Sequence, residues 1–256
     1  MGETDTRRVV VDVPPYRIHS LESGTDGEPL ILLHGLSGSS RWWDRNVAAL
    51  GKHFRVLVPD VIGFGRTRIP PPLPGLERMA ELLAAWMEAV GAPESDLIGH
   101  SMGGQIAIHL AALLPDRVRR LVLVDSAGIP RPARARELFR FAAEVAAPAR
   151  WGDVTFFPTI VGDALHAGPR TITQALGHIL RDDVRPLLPR ISAPTLIVWG
   201  ENDRICPVEH AYLLRERIPD SRLIVLRRAA HNAMIDRPAD FNDVVLRFLR
   251  GETVGK

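Results

Sequence analysis

The sequence predicts an α/β protein with a mostly parallel sheet, and three observations carry that expectation. Short apolar runs recur along the chain. Stretches with apolar residues at three- and four-residue steps lie between them. The later runs are apolar at nearly every position, as strands covered on both faces must be.

In chain order, the strand-like runs are RVVVDV (8–13), YRIHSL (16–21), LILL (30–33), FRVLV (54–58), DLIG (96–99), LVLVD (121–125), TLIVW (195–199) and RLIVL (222–226). Between FRVLV and DLIG, LERMAELLAAWMEAV (76–90) sets Leu76, Met79, Leu83, Trp86 and Val90 at helical spacing, and Gly91 and Pro93 mark its stop. Residues 41–49, 102–114, 208–217 and 238–250 also read as helices. The alternation breaks between about 131 and 190, where Pro130, Pro132, Pro148, Pro158 and Pro169 punctuate a helical, irregular stretch. Residues 1–130 and 190–256 therefore read as one core domain and 131–189 as an inserted helical cap. The cap holds Phe139, Phe141, Trp151, Phe156 and Phe157. Packing of the cap on itself accounts for most of these rings. An apolar underside roofing a pocket would bring Phe139 and Phe157 against a ligand.

Composition excludes several classes. The net charge is +2, from 32 basic and 30 acidic residues, and no basic stretch is interleaved with aromatics as stacking on bases requires. No run of about 18 apolar residues suggests a membrane span. The start, MGETDTRRVVVDV, has no signal-peptide core, so a cytoplasmic protein is expected, with a monomer as the default. Cys206 is the single cysteine, which rules out an intrachain disulfide. Lys52 and Lys256 are the only lysines and neither sits in a motif, which argues against Schiff-base chemistry.

The chemistry centres on Gly99-His100-Ser101-Met102-Gly103, which matches G-x-S-x-G between a strand and a helix. A serine on such a turn is strained and projects from the carboxyl end of the sheet, and small neighbours two residues either side let strand and helix approach. The start of the following helix favours a developing oxyanion. Serine needs a base, and the base needs an orienting acid. His231 follows RLIVL by a short loop, and Asp203 follows the buried run TLIVW and a Gly turn. Asp125, ending LVLVD, is a rival acid and Glu201 a weaker one. His100 is too constrained within the turn to act as the base. LILLHGLSGSS (30–40) runs into a loop where Gly35 and Gly38 allow close approach; no Gly-Lys-[Ser/Thr] follows, so a P-loop reading fails. One amide of this loop and that of Met102 would hold an oxyanion. Trp42, Trp43 and Met234 are candidates for an apolar acyl pocket, although core packing explains the tryptophans at least as well.

Five segments, LILLHGLSGSS, VLVPDVIGFGRT (56–67), LIGHSMGG, TLIVWGENDRICP and AAHNAMIDRPADF, in this order resemble the α/β-hydrolase superfamily, specifically its capped esterase-like members. The resemblance covers nearly the whole chain except the cap. It implies an eight-stranded sheet with helices on both faces and a helical cap after the sixth strand. It also implies Ser101 as nucleophile, Asp203 as acid, His231 as base, and the amides of Leu36 and Met102 as the oxyanion hole. His34, Asp60, Gly63 and Gly65 become structural residues. Serine at 101 departs from the aspartate nucleophile of haloalkane dehalogenases and epoxide hydrolases. The expected activity is hydrolysis of a small-molecule carboxylic ester through an acyl-enzyme, with water and neither cofactor nor metal. A lactonase, a carbon–carbon bond hydrolase, a perhydrolase or an acyltransferase would use the same triad. A slow-turnover small-molecule receptor is the reading from another class.

Overall fold

The computed structural model describes residues 6–24, 26–130 and 152–254. Each predicted run is a strand: β1 (Thr6–Val13), β2 (Tyr16–Gly24), β3 (Pro29–Leu33), β4 (Arg55–Pro59), β5 (Ser95–His100), β6 (Val118–Val124), β7 (Thr195–Gly200) and β8 (Ser221–Leu226). They form one sheet in the order β1-β2-β4-β3-β5-β6-β7-β8. Strand β2 runs antiparallel to its neighbours β1 and β4, and the pairs from β4 across to β8 are parallel. This is the α/β-hydrolase architecture that the motifs implied.

The described helices are α1 (Asp44–Leu50), α2 (Leu76–Ala89), α3 (Met102–Leu113), α4 (Phe157–Ala167), α5 (Pro169–Arg181), α6 (Val208–Arg217), α7 (Ala233–Asp236) and α8 (Pro238–Leu249). Successive strand residues point to opposite faces, so each central strand feeds two cores. Ile31, Leu33, Leu97, Leu121, Leu123 and Ile197 pack with residues of α2, α3 and α6 on one face. Leu30, Leu32, Ile98, Val122, Leu196 and Val198 pack with those of α1, α7 and α8 on the other. Fully burying each such side chain contributes about 1.5–3 kcal/mol. The near-continuous apolar runs exist because both faces are covered.

Helices α4 and α5 lie between β6 and β7 in the chain and add no strand to the sheet. Ile172, Ala175 and Ile179 form a stripe on α5 that meets the first core, while Phe156 and Ile160 meet the second. Phe139, Phe141 and Trp151 fall outside the described residues. Among the described residues, no helix is long and apolar enough to cross a membrane.

Candidate active site

Strand β5 ends at His100, helix α3 starts at Met102, and Ser101 alone makes the turn between them. It does so with φ 52° and ψ −116°, a conformation that costs a non-glycine residue of order 1–3 kcal/mol. The flanking glycines are required by close approach. A Cβ on Gly103 would lie 2.6 Å from the carbonyl oxygens of Leu33 and His34, and one on Gly99 would lie 2.7 Å from Gly104 Cα. The surrounding backbone holds the turn: Ser101 N–H donates to Val124 O at 3.0 Å, and Ser101 O accepts from Ala127 N–H at 3.1 Å.

Strands β7 and β8 end at the same edge of the sheet as β5. The turn after β7 carries Asp203, whose Oδ1 accepts the amides of Ile205 at 2.8 Å and Cys206 at 2.9 Å. The loop after β8 carries His231. Its Nδ1–H donates to Asp203 Oδ2 at 2.8 Å, which leaves Nε2 as acceptor for the Ser101 hydroxyl at 3.1 Å. All three side chains are buried. Residues far apart in the sequence thus form one hydrogen-bonded relay.

The loop that carries His231 is pinned from two sides. His100 Nε2–H donates to the carbonyl oxygen of His231 at 2.8 Å, and the two rings lie 5.0 Å apart. Complete burial, followed by the neighbouring His231, holds the His100 imidazole far below its ordinary range, so it stays neutral. Asp125 sits just past β6 with φ 45° and is fully buried. Its Oδ1 accepts Gly200 N–H at 2.7 Å, and its Oδ2 accepts Ala233 N–H at 3.0 Å. Asp125 therefore joins the end of β7 to the segment after His231, and no hydrogen bond connects it to the His231 ring among the described residues. Burial, then the charge of Asp203, drives its carboxyl well above the usual range. Glu201 is exposed and accepts the Arg228 amide at 3.2 Å.

The loop after β3 packs against Ser101: a Cβ on Gly35 would lie 3.1 Å from Ser101 Cβ. His34 braces it. Its Nδ1–H donates to Gly35 O at 2.8 Å, while its Nε2 accepts Val61 N–H at 2.9 Å, and burial lowers its pKa. Asp60 accepts the amides of Ser40 at 2.7 Å and Arg66 at 2.8 Å, so the Asp60–Gly65 turn is structural. The amides of Leu36 and Met102 flank this contact and donate to no acceptor among the described residues. Met102 lies in the first turn of α3, where the helix dipole adds positive potential.

The candidate pocket residues separate. Trp42 is buried against His100, with ring centroids 5.6 Å apart, and against Phe156 at 5.9 Å. Its Nε1–H donates to Asp163 Oδ2 on α4 at 3.0 Å. Trp43 and Met234 pack with Trp42 in the second core, fully buried, with Trp43 beside Phe241. Phe157 is half-buried at the start of α4, and Phe139 lies outside the described residues. Sequence reasoning missed Phe156 and Asp163 as partners of Trp42, because both pair with it across more than 100 positions.

Comparison with known proteins agrees with the fold. The family model described as the alpha/beta hydrolase fold matches residues 28–176 and 157–238. The chain belongs to that family. It is 28% identical over 263 residues to the 2-hydroxy-6-oxo-6-phenylhexa-2,4-dienoate hydrolase of Burkholderia cepacia, covering 91% of each chain. The solved structure of a thermophilic esterase from Thermogutta terrifontis aligns with a TM-score of 0.83 at 29% identity, over 96% of this chain and 98% of that one. The enol-lactonase of Burkholderia xenovorans LB400 aligns with a TM-score of 0.79 at 26% identity, over 94% and 100%.

Proposed function

We propose that this member of the hydrolase family is a serine hydrolase of the esterase type, cleaving a small carboxylic ester without a cofactor. The observation that carries the reading is the relay from Ser101 Oγ through His231 to Asp203, built on a serine with positive φ. In this mechanism His231 Nε2 takes the Ser101 proton as Oγ attacks the ester carbonyl carbon. Asp203 holds the imidazole in the required tautomer and stabilises the imidazolium. The amides of Leu36 and Met102 receive the oxyanion. The imidazolium returns its proton to the leaving alcohol, and water, activated by the same nitrogen, releases the acid and frees Ser101. Helices α4 and α5 serve as the described part of a cap, with Trp42, Phe156 and Phe157 as the candidate apolar wall.

A panel of p-nitrophenyl esters and lactones of graded acyl length tests the reading, with Ser101→Ala as control. The variant is expected to lose about 10⁴- to 10⁶-fold in kcat. Ordinary ester turnover by Ser101→Ala would overturn the assignment. The likeness to a dienoate hydrolase motivates a vinylogous diketone arm. Faster cleavage there than on any ester would move the reading to carbon–carbon bond hydrolysis on the same residues.

A further inference from the structure

The acid turn brings a third group beside the Asp203–His231 pair. Cys206 ends the turn that aims the Ile205 and Cys206 amides at Asp203 Oδ1, and that curl of chain folds its side chain back toward the pair. One ligand atom each from Asp203, Cys206 and His231 lie within 4.8 Å of one another, and all three residues are buried. No other trio of this kind occurs among the described residues. The esterase mechanism has no use for the thiol.

We propose that Asp203, Cys206 and His231 form an inhibitory site for a divalent ion of the zinc class. The proposal rests on the reading of His231 as the base that activates Ser101. One sulfur, one imidazole nitrogen and one carboxylate oxygen are donors that Zn²⁺ takes at about 2.3, 2.0 and 2.1 Å, whereas Mg²⁺ and Ca²⁺ require several oxygens. Tetrahedral ligands at those lengths stand roughly 3.5 Å apart. The site therefore closes on the ion by side-chain rotation, with no rearrangement of the sheet.

The chemistry balances without a redox step. Cys206 gives up its thiol proton to solvent and binds as thiolate, and Asp203 supplies a second negative charge, so the ion's two positive charges are neutralised. The nitrogen of His231 that faces Asp203 is Nδ1, at 2.8 Å from Oδ2. When the ion takes the Nδ1 lone pair, the ring proton moves to Nε2. That nitrogen then donates to Ser101 Oγ instead of accepting from it. The base is occupied, and Ser101 keeps its proton.

Zn²⁺ titration of the metal-free full chain tests this, reading ester hydrolysis in the wild type, Cys206→Ala and Cys206→Ser, each against its own metal-free rate. Slow-onset inhibition reversed by EDTA is expected in the wild type, with the half-inhibiting concentration at least about 10-fold higher in both variants and no effect of Mg²⁺. Because Cys206 is the chain's single cysteine, Co²⁺ added to Ser101→Ala should give a thiolate-to-metal charge-transfer band that disappears in Ser101→Ala/Cys206→Ala. Equal Zn²⁺ sensitivity in all three forms, or Co²⁺ binding without the thiolate band, would overturn the proposal. The cobalt spectrum needs no turnover, so a failure of the ester reading and a failure of the metal site are seen separately.

Discussion

The Ser101–His231–Asp203 edge and the insertion between β6 and β7 are both packed against the same sheet, but they are held by different kinds of group. At the edge, buried side chains grip backbone: Asp203 takes two amides, Asp125 takes two more, and His100 donates to the His231 carbonyl. The insertion is held by side-chain pairs beside a few bonds to backbone, such as Asp153 N–H to Asp236 at 2.7 Å. Asp163 on α4 accepts Ser39 Oγ at 2.9 Å and Trp42 Nε1, and it pairs with Arg41. Arg45 pairs with Asp153 at 2.6 Å, and Asp182, just past α5, accepts from Gln105 at 2.7 Å and meets His109 at 2.8 Å. Groups bonded to backbone keep their anchor whatever the neighbouring side chains are. Groups joined through side chains can be re-aimed by one substitution. The edge should therefore govern kcat, and the insertion KM and substrate range.

Asp203→Asn is the strongest test at the edge. The asparagine oxygen can still accept from Ile205 and Cys206, but its amide then faces His231 Nδ1 and forces the ring proton onto Nε2. A fall of about 10³- to 10⁴-fold in kcat is expected with near-wild-type folding, checked by stopped-flow kinetics and circular dichroism. Asp125→Asn comes next. One of its two acceptors becomes a donor facing a backbone N–H, which loses a buried bond and costs about 2 kcal/mol in denaturant unfolding. Because Asp125 ties the end of β7 to the segment after His231, kcat should drop by about 10- to 100-fold with KM within about threefold. A change confined to KM would break the distinction between edge and insertion.

The strands and the relay were legible in the sequence for physical reasons. Two-sided burial makes the runs LILL, LVLVD and TLIVW apolar at nearly every position, and the glycines around Ser101 are required by contacts with neighbouring backbone. What escaped depends on register. Asp125 looks like a catalytic acid because it follows a strand; only the pairing of β6 with β7 sets its carboxylate level with the Gly200 amide. His100 reaches a carbonyl 131 positions away, which no local pattern records. Trp42 and Trp43 are adjacent and equally buried in one core, yet Trp42 also meets Phe156 while Trp43 lies beside Phe241. Asp163 reads in sequence like any acidic residue on a helix. Its role depends on which face of α4 meets the Ser39–Trp42 segment.

On the insertion, Asp163→Asn keeps the shape and two acceptor contacts but gives up the charge that pairs with Arg41. KM should rise about three- to tenfold while kcat changes less than about twofold. An equal loss in both would mean that the segment after the oxyanion loop is set by α4, and the two regions would have to be treated as one.

The smallest effect is expected at Asp153, where the hydrogen bond from the Thr155 hydroxyl, followed by that from Arg45, lowers the pKa from its ordinary 3.8 to about 2. A carboxyl whose folded-state pKa is depressed adds stability above its unfolded value and loses it as pH falls through the folded one. The partly exposed pair is worth only about 0.5 kcal/mol at pH 7. Asp153→Asn should show that deficit in urea unfolding, and the gap to wild type should close as the pH drops from about 4 toward 2. Molar salt should also shrink it, since the Arg45–Asp153 attraction reaches through solvent. The Asp125→Asn deficit, a buried bond to backbone, should be indifferent to salt. A salt response shared by both variants would show that charge, and not bonding to backbone, holds the Asp203 turn and the His231 loop in place.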